Sequence, residues 1–253
     1  MPSLSDITTA ILTGGLGTRL RSVVSDMPKV LVDICERPFL TFLMDQLVAA
    51  KARDVVLCTG HMADKINEVL GSGYKSLKIV HSREPEPLGT GGALRLALPH
   101  LNSDAVLVMN GDSFVDVDLA TYTEWFFKRD RQASLLLVKV PNTARYGKVI
   151  AAEDGRLTAF AEKGLDARPG WINAGIYIMK KSLVASIPAD VVFSLEREFF
   201  PSLVDKGLYG FCTNGKFIDI GTPESYRQAQ EFFLDKKFLD GNNCINKELK
   251  EMD

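Results

Sequence analysis

Three glycines and an arginine close an apolar run near the start of the chain, a combination suited to holding an anion. The run is Ile7-Thr8-Thr9-Ala10-Ile11-Leu12. It continues as Thr13-Gly14-Gly15-Leu16-Gly17-Thr18-Arg19-Leu20, with Pro28-Lys29 soon after. Glycines let the backbone turn sharply and bring its N–H groups close to a ligand, and Arg19 adds a forked positive charge. The pattern reads as a phosphate-binding loop at the end of a buried strand. Two familiar loops do not match it. A P-loop needs Lys-Ser/Thr after its last glycine, and a dinucleotide fingerprint needs a glycine where Leu20 stands.

Beside a phosphate ligand, carboxylates are useful for holding Mg²⁺, which binds through one or two of them plus phosphate oxygens. Asp112 follows the apolar run Ala105–Met109 and the turn Asn110-Gly111, so it stands at a strand's carboxyl end. Asn-Gly-Asp is also good turn chemistry, and a turn aspartate serving nearby N–H groups reads Asp112 equally well. Asp219 lies between Ile218 and Ile220 on a short strand, where an unpaired carboxylate is costly to bury. A helix cap explains Thr222, with Pro223 at the first helical position, but does not explain Asp219. Metal binding does. Lys29, behind the stiff Pro28, can neutralise charge at the phosphates, although most lysines are simply solvated. Lys163, in Glu162-Lys163-Gly164, reads either as a phosphate ligand or as a surface turn. Asn173 sits in the apolar Trp171–Tyr177 strand, where its amide must find partners; sugar hydroxyls would serve.

The elements that must position these residues alternate through the first half. Strands are expected at 7–12, 55–58, 77–80 and 105–109, and helices at 39–51, 63–70 and 91–98. Such alternation calls for an α/β fold with a mostly parallel sheet covered on both faces, and a ligand at the strands' carboxyl ends. Asp118 should cap a helix reaching about Asp130. Strands follow at 134–140, 147–151 and 172–179, the middle one ending in a turn at Glu153-Asp154-Gly155-Arg156. Pro223–Leu239 should form a closing helix. The organisation expected is one domain over 1–239, with a sugar-binding lobe inserted at about 113–180 and a polar tail over 240–253.

A charge of −2 over 253 residues gives no reason to expect nucleic acid or an anionic membrane as partner. The cations for a phosphate ligand must therefore be a few placed side chains. The start lacks a signal-peptide pattern and no run is long enough to span a bilayer. Cys35, Cys58, Cys212 and Cys244 form no Cys-x-x-Cys pair, so neither a zinc site nor a disulfide framework is expected. Cytoplasm is the default compartment.

Taken in order, the pieces over Leu12–Tyr226 resemble the sugar-phosphate nucleotidylyltransferase family. They are Gly14–Leu20, Pro28-Lys29, Leu88-Gly89-Thr90-Gly91-Gly92-Ala93, Asn110-Gly111-Asp112, Glu162-Lys163, Asn173-Ala174-Gly175 and Phe217–Tyr226. The resemblance implies a Rossmann-like sheet of the nucleotide-diphospho-sugar transferase type, and an Mg²⁺-dependent enzyme. Its partners would be a nucleoside triphosphate and a sugar 1-phosphate, with a second copy of the chain as the other candidate. It also implies site roles. Leu12, Gly14, Gly15, Gly17, Thr18, Gly89 and Thr90 would contact the nucleotide. Arg19, Lys29 and Asp112 would act at its phosphates, and Asp112 and Asp219 would hold Mg²⁺. Lys163 would hold the acceptor's phosphate, while Gly111, Tyr146, Gly147, Glu162 and Asn173 would complete the sugar side. Many relatives have proline after that lysine; this chain has Gly164.

In the family the segment before Gly89 meets the base. Glu84 there would accept two adjacent hydrogen bonds from guanine N1–H and N2–H₂, whereas uracil offers one donor flanked by acceptors. Such a contact favours GTP by ~1–3 kcal/mol. The alternative is that Glu84 faces solvent and backbone groups read the base. Among subgroups, Arg145-Tyr146-Gly147, Leu88–Ala93 and Ile172–Tyr177 resemble guanylyltransferases acting on D-glycero-α-D-manno-heptose 1-phosphate. Mannose 1-phosphate guanylyltransferases and N-acetylmuramate 1-phosphate uridylyltransferases are the alternatives. A non-enzymatic nucleotide-sugar binder would be expected to have lost an aspartate or lysine that this chain keeps.

Overall fold

In this computed structural model, residues 2–15, 17–20, 26–161 and 168–235 are described. The first half of the chain runs β1 (Thr8–Leu12), the short pair β2 (Asp33–Ile34) and β3 (Arg37–Pro38), α1 (Phe39–Ala49), β4 (Asp54–Thr59) and α2 (Ala63–Leu70). It continues through β5 (Gly73–Tyr74), β6 (Leu77–Arg83), α3 (Gly89–Leu96) and β7 (Ala105–Asn110). The second half begins with β8 (Ser113–Val115), α4 (Leu119–Phe127), β9 (Ala133–Val140), β10 (Lys148–Ala151), β11 (Leu157–Ala161) and β12 (Gly170–Lys180). After α5 (Lys181–Ala185) come a π-helical turn over Leu195–Phe199, α6 (Phe200–Leu203), β13 (Leu208–Thr213), β14 (Phe217–Asp219) and α7 (Pro223–Asp235).

The main sheet is mixed, in the order β11-β10-β12-β7-β1-β4-β6-β5. Its centre, β7-β1-β4-β6, is parallel, with Thr9 opposite both Val55 and Leu107. Alternation along these strands feeds two cores. Ile11, Leu57 and Leu107 pack on one face with Leu43 and Leu47 of α1, Ile66 of α2, Phe126 of α4 and Phe233 of α7. Ala10, Val56 and Val108 point the other way, toward Leu94 of α3 and Val184 of α5. Burying both faces explains why these strands are nearly all apolar.

The helix expected at 39–51 stops at Ala49, because Lys51 turns into the left-handed region (φ +61). The α4 cap forms as expected, with Asp118 accepting from the N–H groups of Ala120 and Thr121 at 2.9 and 3.4 Å. The turn at Gly155 joins β10 to the antiparallel β11. The strand expected at 172–179 is longer and carries an irregularity. Its first half pairs with β10 and its second with β7, and the register against β9 shifts between Asn173 and Tyr177. Gly175 makes the bend at φ +79, where a Cβ would stand 2.7 Å from Ser113 Oγ. Asn173 is thereby set at the junction of the two halves. A separate pair, β14 against β8, places Asp219 opposite Ser113. Among the described residues no helix is long and apolar enough to cross a membrane. The last residues of the expected closing helix, 236–239, the tail 240–253 and Cys244 lie outside the described residues.

Candidate active site

The carboxyl ends of β1, β4, β6 and β7 bring the loops of Gly14, Gly60, Glu84 and Asp112 to one edge of the sheet. The first loop is tied at its root. Thr13 donates to the Cys58 carbonyl through both N and Oγ1, each at 2.9 Å, and Gly111 N donates to the Leu12 carbonyl at 2.9 Å. A Cβ on Gly111 would stand 2.8 Å from that carbonyl, so the close approach of β7 to β1 requires glycine. Gly17 turns at φ +58 over the Lys29 side chain, while Thr18 and Arg19 are exposed. Leu16 lies outside the described residues.

Glu84 is 8% exposed. Its Oε2 accepts from Leu88 N at 2.9 Å, and its Oε1 faces two glycines. A Cβ on Gly60 would stand 2.5 Å from Oε1, and one on Gly14 would overlap it. Both glycines are therefore there to seat this carboxylate. Burial pushes the Glu84 carboxyl above its usual range against the lowering effect of the Leu88 N–H, and the negative charge adds to the burial that pushes the Cys58 thiol up to about 12. Gly60 was not singled out from sequence; a glycine following a buried strand was the available signal.

Lys29 pairs with Asp112, and the Asp219 segment lies close to it. Lys29 Nζ contacts Asp112 Oδ2 at 2.6 Å and lies 3.6 Å from where a Gly221 Cβ would be, itself 2.6 Å from Asp219 Oδ1. Ile220 N donates to the Asp112 carbonyl at 3.0 Å, fixing the two segments together. Asp219 is partly buried but well partnered. Its Oδ1 accepts from Gly221 N at 2.7 Å and Ser225 Oγ at 3.1 Å, and its Oδ2 accepts from the Tyr146 hydroxyl at 2.6 Å and Arg145 Nη2 at 3.3 Å. Burial raises the Asp219 carboxyl, yet the Tyr146 hydroxyl, the Gly221 N–H and Arg145 outweigh it and hold it below its usual value. The Tyr146 phenol is pushed up by burial and by the same carboxylate. Only the backbone at Tyr146 was expected to matter; its side chain, with Arg145 and Ser225, was missed.

On the expected sugar side, the Gly147 carbonyl accepts from Asn173 N at 3.3 Å. The Asn173 amide is already engaged, its Oδ1 with Gly175 N at 2.9 Å and its Nδ2 with the Tyr177 hydroxyl at 3.0 Å, which leaves one N–H and one lone pair for a ligand. Glu162 and Lys163 lie outside the described residues. Around α3, the N–H groups of Gly91 and Gly92 donate to the Phe193 carbonyl at 2.8 and 3.2 Å, and Phe193 N donates to the Leu88 carbonyl at 2.9 Å. The glycines there seat a strap from the 191–193 segment against the helix. Gly89 is exposed at φ +73, and Thr90 Oγ1 donates to Glu196 Oε2 at 2.7 Å.

Among the described residues no group of three or more His, Cys, Asp or Glu side chains forms a ready-made metal cage. Two oxygen-donor carboxylates near Lys29 nevertheless suit Mg²⁺, a hard cation that keeps waters and takes only one or two carboxylates.

A strand-end glycine loop with a lysine paired to one aspartate and a second aspartate close by suits a nucleotide-handling α/β enzyme. Residues 8–236 match the family model described as nucleotidyl transferase, and the chain belongs to that family. Two similar relatives are D-glycero-alpha-D-manno-heptose 1-phosphate guanylyltransferases. The one from Aneurinibacillus thermoaerophilus is 39% identical over 87% of this chain and 96% of its own length. That of Campylobacter jejuni is 36% identical over 85% and 95%. A mannose-1-phosphate guanylyltransferase from Mycobacterium tuberculosis is 34% identical over 85% of this chain, which spans 61% of that enzyme's length. Among solved structures, HddC from Yersinia pseudotuberculosis complexed with GMP-PN superposes with a TM-score of 0.79 at 36% identity, over 90% of this chain and 99% of HddC.

Proposed function

We propose that this chain transfers GMP from GTP to D-glycero-α-D-manno-heptose 1-phosphate, giving GDP-heptose and pyrophosphate in an Mg²⁺-dependent reaction. The observation that carries it is the Asp112–Lys29–Asp219 arrangement beside the glycine loop, on a chain similar over nearly its whole length to two heptose 1-phosphate guanylyltransferases. An oxygen of the sugar phosphate attacks the α-phosphorus of GTP. The bond from that phosphorus to the bridging β-oxygen breaks, and the electron pair leaves with pyrophosphate.

The protein's part is positioning and charge compensation, since both reactants are anions. Backbone N–H groups of Gly14–Thr18 and the exposed Arg19 hold the triphosphate. Lys29, pre-positioned by its ion pair with Asp112, offsets charge at the reacting phosphates. Asp112 and Asp219 would hold Mg²⁺, which would supply charge neutralisation at the phosphates. Tyr146, Arg145 and Gly221 N–H fix the Asp219 carboxylate, and Asn173 and the Gly147 backbone face the sugar. Cytoplasm is the compartment in which such a nucleotide-sugar enzyme would work.

Glu84 is the proposed reader of guanine. Its Oε2 is committed to Leu88 N, but its Oε1, between Gly14 and Gly60, has no hydrogen-bond donor among the described residues and can take one from the base. Glu84→Gln should lower the GTP-over-UTP ratio of kcat/KM by ~10-fold or more, the equivalent of the ~1.5–3 kcal/mol of a single hydrogen bond to a charged group. An unchanged ratio would show that the base is read elsewhere. The same substitution has a stability signature. A carboxyl raised by burial stabilises the fold while protonated and loses that contribution as pH climbs from its ordinary value of 4.5 through the raised one. Relative to the unsubstituted chain, Glu84→Gln should therefore gain in melting temperature over that climb.

Mannose 1-phosphate is the second reading, favoured by the similarity to the mycobacterial enzyme. Comparing kcat/KM for the two sugar phosphates with GTP tests the choice. A ratio of ~10-fold or more for the heptose is expected from contacts to one additional carbon and its hydroxyl. A preference for mannose 1-phosphate would move the assignment.

A further inference from the structure

Thr90 on the nucleotide side and Asn173 on the sugar side are joined by a hydrogen-bonded chain. The hydroxyl of the fully buried Tyr177 donates to Glu196 Oε1 at 3.2 Å and accepts from Asn173 Nδ2 at 3.0 Å and Asn110 Nδ2 at 3.5 Å. Its proton and both lone pairs are in use. Glu196 Oε2 accepts from Thr90 Oγ1 at 2.7 Å and Ser194 Oγ at 3.2 Å, and Thr90 Oγ1 accepts from Leu195 N at 2.9 Å. A path of side chains thus runs Thr90–Glu196–Tyr177–Asn173, with a branch to Asn110 two residues before Asp112. Asn110 Oδ1 is buried with no hydrogen-bond partner, so this amide is oriented through its Tyr177 contact.

Glu196 is an unusual choice for a purely structural link. Among the described residues its hydrogen-bond donors are all hydroxyls, of Thr90, Ser194 and Tyr177, and no cation pairs with it. It sits in the π-helical turn Leu195–Phe199, closed by Phe199 N donating to the Ser194 carbonyl at 3.1 Å. Single π turns are rare and concentrate at functional sites. The strap before it is clamped to α3 by the Phe193 bonds, so a shift at the start of α3 is carried to Glu196 along covalent and hydrogen-bonded links.

We propose that Glu196 is a positioning residue that couples occupation of the nucleotide side at Thr90 to the orientation of Asn173 on the sugar side, through the Tyr177 hydroxyl. This rests on the assignment of those two sides given above. Nucleotide drawing on Thr90 changes the hydroxyl that Glu196 accepts, and Tyr177 transmits the change to the one Asn173 N–H left for a sugar. Glu196→Gln keeps the shape but can accept at only one end, and Tyr177→Phe removes the hydroxyl alone.

The test is calorimetric titration of the full chain with heptose 1-phosphate, with and without a non-hydrolysable GTP analogue and Mg²⁺. In the unsubstituted chain the analogue should tighten sugar-phosphate binding by ~10-fold, within the usual range for coupled sites. Glu196→Gln and Tyr177→Phe should each reduce that factor to below ~3-fold, and Tyr177→Phe, which does not touch Thr90, should leave the analogue's own affinity unchanged. A purely structural role would lower melting temperature or both affinities and leave the factor alone. Full coupling retained in Glu196→Gln, or absence of coupling in the unsubstituted chain, would overturn the inference while the guanylyltransferase reading stands. A chain that binds neither ligand would overturn both.

Discussion

Asp112→Asn should cut pyrophosphate release at saturating Mg²⁺ by ~10²–10³-fold, with little change in melting temperature. The substitution keeps the side chain's size and removes one negative charge from the proposed meeting point of the cation and the triphosphate. Stability should hold because the Asp112 side chain is 46% exposed and partnered by Lys29 alone among the side-chain contacts described. The carboxylate half of this pair is open to solvent, which limits what the pair contributes to folding. Lys29, with a side chain 12% exposed, loses its partner and is left to the phosphates alone. Asp219→Asn should impair turnover similarly but cost some stability, since Tyr146, Arg145, Ser225 and Gly221 N–H all converge on that carboxylate. Near-normal turnover in either variant would remove the metal assignment.

Phe233→Ala should destabilise the fold by about 3–5 kcal/mol, as for other buried phenylalanines cut to alanine. The ring is fully buried, stacked on Phe42 at 4.0 Å between centroids and edge-on to Phe114 at 5.1 Å and Phe39 at 6.1 Å. It joins α7 to α1 and to β8, and β8 pairs with the strand that carries Asp219. Loss of the ring therefore opens a cavity beside the strand pair that carries Asp219 as well as loosening a helix. At about 2–4 °C per kcal/mol for a chain of this size, the melting point should fall by roughly 6–20 °C. A fall of less than about 2 °C would show that α7 is not a structural clamp.

The alternating first half was legible because each buried parallel strand is a short apolar run and each helix shows a stripe. The segment 63–70 was read to the residue, with Ile66 and Leu70 on its buried side. Legibility failed where pairing is long-range or the signal is short. β13 (Leu208–Thr213) is a mixed strand stabilised by running parallel to β9, which no local pattern announces. The three-residue β8 is recognisable only through β14. The π turn at Leu195–Phe199 has no periodic signature, and with it Glu196 was missed. In the site, charged residues in strand-end positions were readable, because a buried carboxylate needs an explanation. Asp112, Asp219 and Lys29 were singled out and stand together. Gly60, Arg145, Ser225 and the Tyr146 side chain were not, because each acts by supporting another residue's carboxylate, a role fixed by tertiary contact.

The most direct measurement is pyrophosphate release by the purified chain from GTP and D-glycero-α-D-manno-heptose 1-phosphate, with Mg²⁺ and with the metal chelated. The account predicts release at one pyrophosphate per GDP-heptose formed with Mg²⁺, and loss of that release on chelation that is restored by added Mg²⁺. No release with either sugar phosphate, or undiminished release in chelator, would contradict it.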